Sequence, residues 1–491
     1  MSTAERDIGA RLAFDRGSPG RRGVGVPSWE GERAPLPPAG LLRERLRLPE
    51  LSQGEIVRYY TALSRLNYGI DSGTYPLGSC TMKYNPKVDD LMAALPGLAE
   101  AHPLDDAGRV QGVLRIGCEL QEALCSLTGF AAASLAPAAG AQGELAGVLM
   151  VKRALADRGD LAARRRILVP DSAHGTNPAT AAMAGFTVTQ IPTAADGSMD
   201  REALERELDG SVAAAMVTMP NTLGLWERGI DEVAELVHAA GAYLYADGAN
   251  LNAILGRARF GDLGFDVAHV NLHKSFSTPH GGGGPGAGPV LCGEELAPYL
   301  PAPVVVAEEG GFRLGRPPRS IGRLQQFHGS YGVLVRAYAY LRSMGLDGLR
   351  AVSEHAVLNA NYLRALLVEA YDIPYDRGRV LHEVVLAGTR QRREHGVRTY
   401  DIAKRLIDHG LHPPTVYFPL IVEEALMIEP TETEPREAVE DFASAMLAIA
   451  EEAARDPDLV RSAPVSAPIG RLDEATAARR PDLRWLPAGD D

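Results

Sequence analysis

The chain of 491 residues holds only four cysteines, Cys80, Cys118, Cys125 and Cys292. None stands in a CxxC pair or at zinc-ligand spacing, which excludes a dithiol redox motif, a zinc finger and a disulfide framework, and no metal site is expected. No apolar run approaches the roughly 20 residues of a bilayer span. The N-terminus carries acids, arginines and prolines where a signal peptide needs an apolar core. Positive charge is short as well: 50 Lys and Arg face 63 Asp and Glu, a formal net charge of −13. That balance does not build the basic face that nucleic acid or an anionic membrane requires. Walker, HExxH and GxSxG motifs are missing, so phosphoryl transfer, zinc proteolysis and serine hydrolysis lack support. What is left is a cytoplasmic, globular chain, 45% hydrophobic and 23% charged, with apolar material for two or three domains.

Residues 1 to about 50 are crowded with Pro, Gly and Arg, as in Gly17-Ser18-Pro19-Gly20-Arg21-Arg22-Gly23. Such a segment buries little and reads as an extended arm that can wrap a partner subunit. Ser52 followed by Glu55 forms a capping box and predicts a helix to about Leu66. From about residue 130 to 300, apolar runs (Arg166 to Val169, Ala213 to Val217, Ala242 to Tyr245, Val267 to Leu272) alternate with helix-like stretches at 200–208 and 230–241. Alternation of this kind predicts an α/β fold with a mostly parallel sheet. Later, helical stretches (Val333 to Met344, Gly348 to Ala370) lead into short strands near Glu383 to Leu386 and Val416 to Ile421. The expected division is an N-terminal arm and helix over 1–85, a large α/β domain over 86–345 and a small α+β domain over 346–491.

The chemistry gathers at the carboxyl ends of the apolar runs, where ligands of open α/β sheets bind. Lys274 ends one run, in Asn271-Leu272-His273-Lys274-Ser275, before a stretch of four glycines. Asp247 ends another, 27 residues earlier, in Ala246-Asp247-Gly248-Ala249-Asn250. A lysine that can carry an aldehyde and an acid that can hold a pyridinium nitrogen are the two fixtures pyridoxal phosphate needs. Each alone has a plain reading as a surface residue closing a strand; the pair carries the assignment. A glycine-rich loop lets backbone crowd the cofactor; its formal GxGxxG contains Pro285 and has no helix after it, so it is no dinucleotide fingerprint. Ala139-Gly140-Ala141-Gln142-Gly143-Glu144 opens a helix to about Arg158 whose bare N–H groups offer a phosphate seat. Glu144 would repel a phosphate and is expected to point away. His174, in Asp171-Ser172-Ala173-His174-Gly175-Thr176, can stack on a flat ring or sit in a turn satisfied by carbonyls. Gly140, Ala141, Gln142, His174, Asn221, Thr222, Asp247, Ala249, Asn271, His273 and Lys274 make up the expected cofactor cradle.

These motifs, with Tyr75-Pro76-Leu77-Gly78-Ser79-Cys80-Thr81-Met82-Lys83-Tyr84-Asn85-Pro86, His412-Pro413-Pro414-Thr415 and Ile428-Glu429-Pro430-Thr431-Glu432-Thr433-Glu434, resemble a known family. It is the pyridoxal-phosphate-bearing subunit of glycine dehydrogenase (decarboxylating), the P-protein of the glycine cleavage system in its two-subunit form. The resemblance implies a fold-type I enzyme with Lys274 as the Schiff-base lysine, Asp247 on the ring nitrogen and His174 stacked on the ring. It implies decarboxylation of glycine and transfer of the aminomethyl group to the lipoyl arm of a carrier, the H-protein. It also implies a separate subunit 1 chain and hence a hetero- or homo-oligomer. Ala138, Ala139, Met219 and Val465 stand where the family pattern has polar residues. These losses leave open a divergent homologue that acts on another amino acid or acceptor.

Overall fold

The computed structural model describes residues 12–483 apart from 33, 44, 45, 47 and 281–285; the four glycines after His280 lie outside the described residues. The chain forms two units. One comprises Met1–Gly73 with Pro464–Asp491, the other Thr74–Ala463. In the first, the helix Gln53–Ser64 starts at the expected capping box: Ser52 Oγ accepts from Glu55 N and the Glu55 carboxylate accepts from Ser52 N. Residues 74–85, grouped by sequence with the arm, belong to the larger unit because Gly78 N donates to Met427 O and Leu77 bridges Ile428.

The larger unit is built on a seven-stranded sheet. Its strands are β1 (Ala132–Ser134), β2 (Arg166–Pro170), β3 (Thr187–Ile191), β4 (Val212–Thr218), β5 (Tyr243–Gly248), β6 (Val267–Val270) and β7 (Val290–Cys292). They lie in the order β1-β7-β6-β5-β4-β2-β3, parallel except for β7, which is antiparallel to both β6 and β1. A hairpin follows, β8 (Val304–Glu308) with β9 (Gly311–Gly315). The small sheet orders β10 (Val384–Ala387), β12 (Ala425–Ile428) and β11 (Thr415–Val416), all antiparallel. The apolar run expected at 416–421 is thus a strand only at its start, and Ala425–Ile428 is a strand the sequence reading passed over.

Strands β4, β5 and β6 are buried along their whole length, as parallel strands covered on both faces must be. Their side chains alternate between two cores. Leu168, Ala215, Val217, Leu244, Ala246 and Ala268 join one, while Ile167, Val169, Ala214, Met216, Tyr243, Tyr245 and Val267 join the other. The second core also contains Ala146, Val148 and Val151 of the helix Gly140–Arg158. Odd-numbered residues of β5 and β6 therefore face that helix, which fixes the direction of Asp247 and His269. The helix Tyr331–Leu367 breaks at Gly345, whose φ of 60 and ψ of −177 are not helical.

Candidate active site

Register brings the functional residues together. Thr218, Asp247 and His269 pair across β4, β5 and β6 at the carboxyl ends of the strands. After β6 the chain turns through Asn271 into one helical turn, Leu272–Ser275, that carries His273 and Lys274. Lys274 is thus on a helical turn just past the strand, not on the strand itself. A cavity of about 170 Å³ is lined by Gly140, Ala141, Glu144, His174, Thr218, Asp247, Ala249, Asn271, His273 and Lys274, together with Ser79, Thr176, Thr222, Asn250 and His269. Nine of the eleven residues expected from sequence line it. The exceptions are Gln142, which accepts from Ala138 N, and Asn221, whose amide donates to Gly197 O and Glu227. Thr222 lines the cavity but commits its hydroxyl to Ser172 O.

Asp247 is 3% exposed. Its Oδ2 accepts from Asn177 Nδ2 at 3.0 Å and its Oδ1 from Ala249 N at 3.1 Å, with His269 Nε2 at 3.4 Å from Oδ1. Burial pushes the carboxyl up, but His269, Asn177, Lys274 and the Ala249 N–H outweigh it and hold Asp247 below its usual range. The acid is therefore ionised at neutral pH. Tyr245 reaches His269 Nδ1 at 2.7 Å. Burial holds the His269 imidazolium down and the Tyr245 phenol up, so both rest neutral. With Tyr245 donating to Nδ1, the imidazole proton is on Nε2, toward Asp247.

Glu144 corrects one expectation. It faces the cavity and does not point away, because the odd-numbered face of β5 looks at its helix. Burial, then the Asp247 carboxylate, raises it to about 7. Thr176 Oγ1 donates to Glu144 Oε2 at 2.9 Å and lies 2.9 Å from His174 Nδ1, which also accepts from Thr176 N. A neutral His174 accordingly carries its proton on Nε2. Its ring meets Phe418 edge to face, centroids 5.6 Å apart. Opposite, Lys274 Nζ donates to Ser79 O at 2.6 Å. Ser79 comes from Tyr75–Pro86, a stretch whose task spacing alone does not reveal. His273 is driven to about 3 by burial and by His280 and Lys274, so it is a neutral ligand group.

The residues fit pyridoxal phosphate on two counts. The helix Gly140–Arg158 has no side chain capping its first turn, because Ala139 occupies the cap position, and its bare N–H groups make an anion seat. A Cβ on Gly140 would stand 2.3 Å from Asn271 Oδ1, so only glycine leaves that seat open. Buried polar atoms that line the same cavity, Asn271 Oδ1, Thr218 Oγ1, Asn250 Oδ1 and Glu144 Oε1, lack a partner among the described residues, as expected of groups that await a polar ligand. Among the described residues no arginine lines the cavity; Arg336 is tied to Asp90 and Arg323 is exposed. Sequence reading missed Ser79, Thr176, Thr218, Asn250 and His269. Of these, His269 was within reach, since it lies two residues before Asn271 on the same face of a recognised strand.

The chain belongs to the glycine dehydrogenase (decarboxylating) subunit 2 family. It is 53% identical over 474 residues to the probable glycine dehydrogenase (decarboxylating) subunit 2 of Chlorobium chlorochromatii (strain CaD3), covering 96% of this chain and 98% of that one. Identity to the protein of the same description from Halalkalibacterium halodurans is 53% over 479 residues, with 96% and 98% covered. The family model for the glycine dehydrogenase C-terminal domain matches residues 352–462, and that for class-V aminotransferases matches 143–284. The fold is similar to a crystal structure of glycine decarboxylase (P-protein) of the glycine cleavage system in inhibitor-bound form, with a TM-score of 0.71, 24% identity and coverage of 84% and 93%. It is also similar to glutamate decarboxylase of Lactobacillus brevis CGMCC 1306, with a TM-score of 0.64, 18% identity and coverage of 86% and 96%. This is the fold-type I class, as expected. The divergent-homologue alternative is not favoured by such near full-length identity. Of the four departures, Ala138 and Ala139 precede the open helix start, Met219 is buried and Val465 is exposed.

Proposed function

We propose that this chain is the cofactor-bearing subunit of a glycine decarboxylase that passes the aminomethyl group of glycine to the lipoyl arm of a carrier protein. The observation that carries this is the meeting of Lys274 and ionised Asp247 in one buried cavity beside an uncapped helix start. When bound, pyridoxal phosphate supplies an electron sink for the pair left on the α-carbon as carbon dioxide departs. The chain supplies the rest. Lys274 presents the amine that carries the aldehyde, its Nζ aimed by Ser79 O. Asp247, kept ionised, retains a proton on the ring nitrogen; such a charge-assisted bond is worth about 1.5–3 kcal/mol. Gly140 and Ala141 offer backbone N–H groups to the phosphate, and Asn271 and His273 border the same space. His174, neutral and edge-on to Phe418, closes the side of the cavity.

Specificity follows from size and charge. The cavity is small, and its histidines His174, His269 and His273 are all neutral. A substrate carboxylate there meets no guanidinium among the described residues, so its charge is poorly stabilised and its loss as carbon dioxide is favoured. A separate subunit 1 completes the enzyme, in keeping with the subunit 2 family. No helix among the described residues is long and apolar enough to cross a membrane, which with few cysteines supports a cytoplasmic setting. The test is exchange of labelled bicarbonate into the carboxyl of glycine, with subunit 1 and lipoylated carrier present. Exchange that vanishes in Lys274→Ala is expected. No exchange, with a spectral response to a different amino acid, overturns glycine as the substrate.

A further inference from the structure

Behind Ser79 lies a second group of buried acids that the reaction above does not use. His382 and Glu383 precede β10, and Glu429 follows β12; the pairing Val384↔Ile428 sets them side by side. All three are 0% exposed, and one atom from each lies within 4.8 Å of the others. Both carboxylates grip the segment that receives the lysine. Ser79 N donates to Glu383 Oε2 at 2.8 Å, Thr81 N to Glu429 Oε2 at 3.1 Å and Thr81 Oγ1 to Glu429 Oε1 at 2.7 Å. Asn252 Nδ2 adds a third donor to Glu429 at 3.2 Å. Ser79 and Thr81 are left-handed, with φ of 64 and 45, a conformation that a non-glycine residue keeps only where its surroundings hold it. The carboxylates are what holds it.

The donors are not enough for two charges. Among the described residues Glu383 Oε1 has no donor, and His382 Nε2, 3.6 Å away, has no partner either. Besides His382 and Glu429, the titratable groups facing Glu383 are Lys274 and Cys80. Burial, then the neighbouring Glu429, pushes Glu383 well up, while burial carries Glu429 to about 7 against Thr81, Lys274 and Asn252. His382 is forced by burial to about 3 and is a neutral acceptor. Two like charges so close and so dry do not both ionise. A divalent cation is the other way to satisfy such a trio, but Glu429 already accepts three hydrogen bonds and the ammonium of Lys274 stands near.

We infer that Glu383 and Glu429 share a single proton at neutral pH and act as one singly charged positioning pair, which fixes the Ser79–Thr81 turn so that Ser79 O aims Lys274. The shared proton rests on Glu383 Oε1, toward His382; Glu429 keeps the charge. The pair touches neither substrate nor cofactor. It rests on the role proposed for Lys274.

Infrared difference spectra and cofactor titrations on the full-length protein decide it. At pH 7 the cofactor-free protein is expected to show a protonated-carboxyl stretch, over the background that Glu144 supplies, that is lost in the difference spectrum with Glu383→Gln. Glutamine still accepts from Ser79 N, so that variant is expected to bind cofactor within about threefold of wild type, whereas Glu383→Ala loses about tenfold or more, as for one charge-strength hydrogen bond. In the double variant Glu383→Gln, Glu429→Gln the counter-charge is gone. The pH midpoint of the lysine-dependent absorbance band is then expected to fall by about one unit. Should Glu383→Ala not fold, the double variant carries the test. Absence of a Glu383-dependent infrared band, an unmoved midpoint in the double variant, or a stoichiometric divalent cation in the purified protein overturns the inference. A wild type that forms no lysine-dependent band refutes the role of Lys274 instead, while the infrared experiment still decides the proton.

Discussion

Two buried trios in this molecule have nearly the same composition, yet the acid beside the cofactor cavity in one is charged and the acid behind the lysine in the other is neutral. Glu144, Asp247 and His269 meet at the large sheet; His382, Glu383 and Glu429 meet at the small one. Burial works against ionisation in both. At the large sheet Asp247 faces His269, an amide donor from Asn177, the Ala249 N–H and Lys274, and it stays below its usual range. At the small sheet Glu383 has one N–H donor and a second carboxylate for a neighbour, and it is pushed well above its usual range. Burial sets the size of the penalty, and the number of donors and the sign of the neighbour decide which acid bears it. A charged acid beside a cofactor ring and a neutral one behind a lysine are thus made from the same residue types.

The contrast breaks most severely at its charged member. Asp247→Asn removes the carboxylate that would keep the ring nitrogen protonated, and cofactor affinity with turnover is expected to fall at least about 100-fold. Cofactor titration and steady-state rates within tenfold of wild type would take Asp247 out of the site. Next in size is Gly140→Ala, which leaves every carboxylate alone and only crowds the anion seat through Asn271 Oδ1 at 2.3 Å. Cofactor affinity is expected to drop about 10- to 100-fold, or about 1.4–2.7 kcal/mol, with the thermal midpoint nearly kept. Unchanged affinity would move the phosphate elsewhere.

Glu144→Gln sharpens the contrast through pH. The folded-state carboxyl titrates at about 7 against an ordinary 4.5, so between those values the folded chain holds the extra proton. Stability therefore falls as pH rises from about 4.5 to 7 and stays lost above. Glutamine removes that slope and is expected to recover about 1–3 kcal/mol at pH 8, read as a flatter thermal midpoint against pH in the cofactor-free protein. A slope as steep as wild type would mean that Glu144 is ionised throughout. The smallest effect belongs to Tyr245→Phe, which frees His269 Nδ1 and with it the tautomer that faces Asp247. A loss of about 0.5–1.5 kcal/mol in cofactor binding is expected; a larger one would mean that Tyr245 also supports the core, and chemical denaturation would reveal it.

Much of this was legible in residues. Unbroken apolar runs across Ala213 to Val217 and Ala242 to Tyr245, with helical segments between, predicted the covered parallel sheet. The lysine and acid were found because each ends an apolar run. The direction of Glu144 was not legible, since it depends on which face of β5 the helix covers, and no local pattern states that. Asn221 shows the opposite failure: a polar residue at a strand end turned to Gly197 and Glu227 because the turn there needed its amide. Spacing within residues 75–86 does not reveal their task, because the carboxylates that hold Ser79 and Thr81 lie about 300 to 350 positions away.

By itself the sequence determined four central strands of the large sheet, the family and the places of Lys274 and Asp247 at the ends of apolar runs, because such runs and short motifs are local and survive without coordinates. Only the tertiary structure decided which acids are charged. Proton affinity is set by the donors, charges and water within a few ångströms, and those arrive from Ser79, Asn177, Asn252 and Glu429, residues that the chain order keeps far apart.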